Sequence, residues 1–456
     1  MSTSSSTSTR RRTLMASTAA AAALTAAAVT VVVTAPSAFA DRGPTVPEHE
    51  ATYTYRDPAA LGGGSELKLG GFSDLFPADD SGKEFWTVTD RGPNADAADD
   101  SHKVFLKPDY TPRILRIRLK DHGDRIVVKQ EIPLRTPAGV VDPVTGGRGI
   151  TGLPPASLTG EGPVDVHGRP LPNDPYGVDS EGVVRGRDGS FWISSEYGST
   201  ILHVSPHGTI REVLAPAGST YEAPGVKVLK VLPAIEAKQK NNRGLEGLTV
   251  SADGRTLYAA QQSPLANPNP KAGKKSRNLR IFKIDVSRPG APAVAAEFVN
   301  VRDADSATDG DWGTSALVWL GEDRLLVEER DGKLPTVNTK LYEVDLGEAT
   351  DILGSAWDNP SSTPLESVAP ENLAAAGVVP GGKRLVFDAA ANGLDNGKVE
   401  GLSLLPARHG TVRLYLANDN DFGVAGVENG EVVPNDVATR LDVYTLPKGS
   451  VSLDRR

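Results

Sequence analysis

Asp179–Gly198, DSEGVVRGRDGSFWISSEYG, is the stretch that sets the fold of this chain. Two acids, Asp179 and Glu181, stand two residues apart at the head of a short apolar run, Gly182-Val183-Val184. A Gly/Asp turn, Gly186-Arg187-Asp188-Gly189, follows, and an aromatic run, Phe191-Trp192-Ile193, leads to another acid, Glu196. Two short β-type runs around such a turn predict a hairpin.

The same grammar recurs in both directions. Gly71-Phe72-Ser73-Asp74-Leu75 leads to Phe85-Trp86-Thr87-Val88-Thr89-Asp90-Arg91, and Asn242-Arg243-Gly244-Leu245-Glu246-Gly247-Leu248 leads to Thr256-Leu257-Tyr258-Ala259-Ala260. Gly313-Thr314-Ser315-Ala316-Leu317 precedes Arg324–Arg330, and Lys398-Val399-Glu400-Gly401-Leu402 precedes Arg413–Asp421. Third strands are expected at 113–117, 200–204, 279–284, 340–344 and 441–444. A lone small sheet cannot bury both faces, so such units stack on one another around an axis. The expected fold is an all-β propeller of five to six blades. Residues 135–176, rich in Gly and Pro and poor in strand signal, are a weakly patterned stretch with room for a sixth blade and read as a long insertion. Thr52-Tyr53-Thr54-Tyr55 is expected to pair with Leu441-Asp442-Val443-Tyr444 and seal the sheet edges. A short helix is expected at Glu371–Ala376, closed by Gly377.

Composition agrees. The 456 residues include 47 Gly and 34 Pro but only 2 Met, which favours turns over long helices. With no cysteine, disulfides, Cys-ligated zinc and thiol nucleophiles are excluded. No GxSxG elbow, HExxH pair or P-loop occurs, and the 7 histidines lack ligand spacing.

The first 40 residues read as an export signal. Arg10-Arg11-Arg12 precedes an Ala/Val-rich run to Val33, and Ala38-Phe39-Ala40 offers a cleavage site after Ala40. Arg11-Arg12-Thr13-Leu14-Met15 resembles a twin-arginine motif. A secreted protein without stable membrane insertion is expected, with a loose segment at 41–50, the propeller domain at 51–447 and a tail at 448–456. Losing the three arginines of the signal takes the formal charge from −9 to −12. So acidic a chain is not expected to bind nucleic acid through bulk charge. A monomer acting on a small molecule is expected.

In a propeller the first strand of each blade lines the central channel, so Asp74, Glu181, Glu246 and Glu400 should converge. The second strands end in Asp90-Arg91, Glu196, Glu329-Arg330 and Asp419-Asn420-Asp421. Clustered carboxylates need a counter-charge. Hard oxygen donors without His or Cys suit Ca²⁺ or Mg²⁺, while Arg91, Arg243 and Arg330 suit an anionic substrate. The expected metal set is Asp74, Asp90, Glu181, Glu196, Glu246, Glu329, Glu400, Asp419 and Asp421, with calcium as the cation. Glu181 and Glu246 are the candidate general bases, and the three arginines the candidate substrate contacts. The aromatic pairs Phe85-Trp86 and Phe191-Trp192, with Leu257-Tyr258, read as blade packing. Asp303–Asp311 reads as a surface acidic loop, since it lacks the spacing of a calcium loop.

GFSDL, FWTVTDRGPN, DSEGV with FWISSEYG, NRGLEGLTVSADGRTLYAAQQSPL, RLLVEERDG and VEGLSLL with LYLANDNDFG together resemble the family described as esterase-like activity of phytase, over about Gly70–Gly423. The resemblance implies a secreted propeller whose recurring Asp and Glu residues serve phosphoester hydrolysis. Ester or lactone hydrolysis and non-catalytic calcium or ligand binding are the alternatives.

Overall fold

The computed structural model describes residues 44–62, 67–99, 101–158, 160–304, 312–331 and 338–454. The expected export signal and Asp305–Asp311 lie outside the described residues.

Five blades surround one axis, with blades 1 and 5 joined at their outer edges into one eight-stranded sheet through Thr54 and Arg125. Blade 1 is built from Phe72–Pro77, Glu84–Thr89, Arg113–Lys120 and Arg125–Pro133, in that order from the centre outward. Blade 2 comprises Ser180–Arg185, Phe191–Ser195, Thr200–Val204 and Ile210–Pro216, with Lys227–Leu232 added in parallel at its rim. Blade 3 runs Leu245–Val250, Thr256–Gln261, Asn278–Asp285, Ala293–Val301, and blade 4 runs Gly313–Gly321, Arg324–Arg330, Thr339–Asp345, Gly382–Asp388. Blade 5 takes Val399–Pro406, Val412–Asn418 and Arg440–Leu446 from the end of the chain, and Glu48–Thr54 from its start. Each innermost strand neighbours the next, and that of blade 5 returns to that of blade 1, so five blades close the ring.

The closure has the expected partners: Thr52 is paired with Asp442 and Tyr53 with Leu441, antiparallel. This strand begins at Glu48, earlier than the expected boundary at Ala51. Nor is the C-terminal end a free tail, because Val451 is buried and the Asp454 amide donates to Leu320 O on blade 4 at 2.8 Å.

The second strands explain how the ring holds together. Successive residues on a strand point to opposite faces, so each second strand feeds two inter-blade cores. Phe191 and Ile193 pack with Trp86 and Ile114 of blade 1, whereas Trp192 packs with Leu248 and Phe282 of blade 3. Leu257 joins the core between blades 2 and 3, and Tyr258 the core between 3 and 4. Leu325 and Leu326, then Leu414 and Tyr415, continue the pattern to blade 1, where Phe85 meets Tyr415 with ring centroids 4.9 Å apart. Burying each such side chain stabilises the fold by about 1.5–3 kcal/mol.

Residues 135–176 form no blade. Among their described residues one strand, Gly162–Val164, joins Asn94–Asp96 and His102–Phe105 in a separate three-stranded sheet. The expected helix is two 3₁₀ turns, Pro370–Asn372 and Ala374–Ala376, ended by Gly377 at φ 80°. A short α-helix not foreseen from the sequence spans Pro270–Lys275 and is capped by the Asn269 side chain.

Candidate functional site

One backbone device positions the acids. In every blade the pairing between first and second strand breaks at the same level, at Asp74-Leu75, Glu181-Gly182, Glu246-Gly247, Ser315-Ala316 and Glu400. A β-bulge there bends the strand and re-aims its side chains. The glycine after the acid permits the close approach: a Cβ on Gly247 would lie 2.8 Å from Leu317 Cγ. Blade 4 has Ser315 where three of the others have glutamate. The bulge equivalence therefore matches the expected alignment of Asp74, Glu181, Glu246 and Glu400.

The acids nevertheless fall into unlike environments. Asp90, Asp179 and Glu181 bring oxygens within 4.8 Å of one another, and so do Glu181, Glu196 and Glu246. All five are buried, and Glu181 belongs to both groups. Desolvation raises the Asp90, Glu181 and Glu196 carboxyls well above the ordinary range, reinforced by neighbouring carboxylates. Burial also raises Glu246, with Arg330 opposing. Asp179 moves the other way: despite its burial, the Arg91 guanidinium holds it below the usual value. Glu196 Oε1 is buried without a hydrogen-bond partner. A donor set of carboxylate oxygens alone, one of them orphaned, fits a hard divalent cation.

Across the channel the acids already have cations. Arg330 donates to Glu400, to Glu246 at 3.3 Å and to Ser315 Oγ at 2.9 Å. Lys398 donates to both Asp419 and Asp421. Ser73 Oγ reaches Glu400 Oε2 at 3.1 Å, and desolvation pushes the Glu400 carboxyl up to about 8. The channel is thus divided into an acidic side on blades 1–3, where Glu181 and Glu196 have no ion-pair partner among the described residues, and a more fully ion-paired side on blades 4 and 5.

Two of the expected ligands lie apart from this. Asp74, at φ 87°, accepts from the amides of Leu75 at 2.7 Å and Val183 at 2.6 Å, tying blade 1 to blade 2. Burial pushes its carboxyl up to about 8. Glu329 faces the cleft between blades 3 and 4, where it accepts from Lys383 Nζ, Trp312 Nε1 at 3.2 Å and the Asp303 amide at 2.8 Å. Its neighbour Glu328 points the opposite way, as alternation requires, and is fully buried with both oxygens unpartnered. Nearby Arg330 only partly offsets the desolvation that raises the Glu328 carboxyl well above its ordinary range.

The three arginines also differ. Arg91 lies 3.3 Å from Asp179 and 3.4 Å from Glu161, and donates to Asn242 Oδ1 at 2.6 Å. Arg330 is committed to Glu246 and Glu400. Arg243 is half-buried and donates to Gln262 Oε1 at 2.8 Å, while Gln262 Nε2 donates to Glu246 Oε2 at 2.9 Å. Asp179, Gln262, Glu328 and Lys398 were not among the expected site residues. Asp179 and Lys398 carried a signal, each standing two residues before a repeat glutamate, immediately ahead of its strand.

Residues 67–422 match the family model Phytase-like, described as esterase-like activity of phytase. The chain belongs to this family. A curated relative of this phytase-like protein, an uncharacterized secreted protein of Arthroderma benhamiae, is 32% identical over 153 residues. That match spans 30% of this chain and 29% of the relative. Among solved structures, the periplasmic gluconolactonase of Pseudomonas aeruginosa is similar at 12% identity and TM-score 0.31, covering 90% of this chain and 98% of its own. Virginiamycin B lyase of Staphylococcus aureus is similar at 11% identity and TM-score 0.31, covering 88% and 99%. The propeller assignment for the phytase-like chain stands on its strand order and closed ring. Among its described residues no helix is long and apolar enough to cross a membrane.

Proposed function

We propose that this phytase-like protein is an exported, cation-dependent hydrolase of phosphoester bonds, acting where blades 1–3 meet the channel. The observation that carries the proposal is the convergence of Asp90, Asp179, Glu181, Glu196 and Glu246, buried and short of counter-charge, beside Arg243. Proteins do not hold so many desolvated carboxylates together without protons, a cation or a task. Asp90, Asp179, Glu181 and Glu196 would hold calcium, with Glu181 shared between the two groups. When bound, the cation supplies Lewis-acid polarisation of the phosphoryl oxygen and acidifies a water.

Glu246 is the residue proposed to accept the proton of the attacking water. Gln262, Ser315 and Arg330 all hold its carboxylate, which fixes its direction, and a general base works only when it is positioned within hydrogen-bond reach. Arg91 orients Asp179 and joins the 135–176 insertion to the site through Glu161. Residues 1–40 would direct export and be cleaved after Ala40, leaving a small-molecule hydrolase outside the cytoplasm.

The test is turnover of 4-nitrophenyl phosphate and bis(4-nitrophenyl) phosphate by the purified chain, with calcium and with chelator. Calcium-dependent turnover that Glu246→Gln reduces while calcium still raises the melting temperature supports the assignment. Calcium-dependent melting without hydrolysis of either compound replaces it with a binding propeller.

A further inference from the structure

We infer that the site selects a substrate carrying a single negative charge, a phosphodiester rather than a phosphomonoester or a polyphosphorylated compound, and that Arg243 is the residue that reads this charge. The inference rests on the phosphoesterase assignment above and narrows it.

Charge allocation around the channel is the basis. Arg91 is spent on Asp179 and Glu161, Arg330 on Glu246 and Glu400, and Lys398 on Asp419 and Asp421. A buried guanidinium shared between two carboxylates has little to offer a ligand, since recruiting it would leave those carboxylates uncompensated in a low dielectric. Among the described residues, Arg243 alone of the three site arginines has no carboxylate partner. Its one side-chain bond is the 2.8 Å contact to a neutral amide, Gln262. It is half-buried at the head of the blade 3 strand, and the next residue, Gly244, packs so closely on Glu196 that a Cβ there would lie 2.6 Å from Glu196 O. Arg243 thus stands beside the acidic groups with donors to spare.

The acidic side would itself be hostile to a highly charged ligand. Five buried carboxylates on blades 1–3 face Arg91 there and, at Glu246, Arg330, and Glu161 adds a sixth through Arg91, with Arg243 left over for a ligand. One divalent cation leaves this side negative, and a second brings it only to balance. A diester brings one charge, which Arg243 can pair in the bidentate manner that suits phosphate oxygens. A monoester dianion, and still more a compound with several phosphates, brings more charge than Arg243 alone can pair.

In hydrolysis of a diester, water oxygen forms a bond to phosphorus, one ester P–O bond breaks, Glu246 takes the water proton, and the alcohol departs after acquiring a proton from solvent. The product is a monoester, more anionic than the substrate, so the same charge balance favours its release.

The experiment compares kcat/KM for bis(4-nitrophenyl) phosphate, 4-nitrophenyl phosphate and phytate in calcium, for the full chain and for Arg243→Ala. The expected result is a diester preference of about tenfold or more, carried in KM and lost in the variant, the size of one charge-assisted hydrogen bond. A non-hydrolysed arm measures thermal protection by dimethyl phosphate and by inorganic phosphate. Protection by the monoanion, absent in Arg243→Ala, supports the inference even where turnover is too slow to follow. Preferred turnover of phytate or the monoester overturns the charge inference while leaving the phosphoesterase assignment intact. No turnover of any phosphoester, with no protection by dimethyl phosphate, overturns both.

Discussion

Calcium should stabilise this protein increasingly as pH rises, and the sign follows from the burial of its acids. In the cation-free protein Asp90, Glu181, Glu196 and Glu246 titrate above their unfolded values. Their favourable contribution is fully present below the unfolded carboxyl pKa and is lost as pH rises through the raised folded values. Asp179, held low by Arg91, opposes this, and its contribution is lost as pH falls. Four groups outweigh one, so the cation-free fold should weaken from about pH 4.5 upward. A bound cation requires the ionised form of these groups and so binds better over the same range. At a free calcium concentration near a hundred times Kd, the gain is about 2.7 kcal/mol. Gly43–Arg456 forms one compact unit; at about 2.1 cal/mol/K of unfolding entropy per residue, that gain raises Tm by about 3 °C. Differential scanning calorimetry at pH 5 and pH 8, with calcium and with chelator, measures it. Glu181→Gln, which removes the acid common to both groups, should abolish most of the shift at pH 8. A calcium shift equal at the two pH values, or unchanged in Glu181→Gln, would refute the reasoning.

Other outcomes concern the residues that set the charge balance. Lys398→Met leaves buried Asp419 and half-buried Asp421 without their cation and should cost about 3–5 kcal/mol in urea unfolding, part of it recovered by adding Asp419→Asn. Glu328→Gln should raise the urea midpoint at pH 8 and leave it unchanged at pH 4, since the glutamate loses stability only as pH rises through its elevated folded pKa. An equal change at both values would point to packing instead. Glu329→Gln should lower Tm by weakening the Lys383 contact while the calcium shift survives; loss of that shift would place Glu329 at the cation.

Strand alternation and Gly/Asp turns made the blades legible, because every second strand had to present apolar residues on both faces. Ring closure was legible for a related reason: Thr52–Tyr55 was a strand-like run outside the repeats, and Leu441–Tyr444, the third strand of the fifth repeat, offered it an edge. The site was harder to read. The repeat acids could be aligned, yet the bulge that aims each of them is set by pairing with the neighbouring strand, which no local pattern announces. Glu328 and Glu329 show the limit. Both are acids on one strand, and only the blade packing decides that Glu328 faces the channel side while Glu329 is consumed by Lys383 and Trp312. Lys398 was passed over because a lone lysine before a strand is ordinarily solvated; here the chain folds it onto two aspartates.

Blade 5 has a consequence for the order of events during synthesis. Its outer strand, Glu48–Thr54, is made before every other described blade strand, and its partner, Arg440–Leu446, after all of them. Until translation reaches Leu446 that early strand has no antiparallel partner, and the unfinished blade leaves the exposed flanks of blades 1 and 4 open to other chains. The growing chain is thus committed to a long wait with apolar surface on display. A holding factor, rapid completion or low local concentration would each shorten or shield that interval, and a ribosome stalled before residue 440 would release a chain prone to aggregate rather than a smaller working protein.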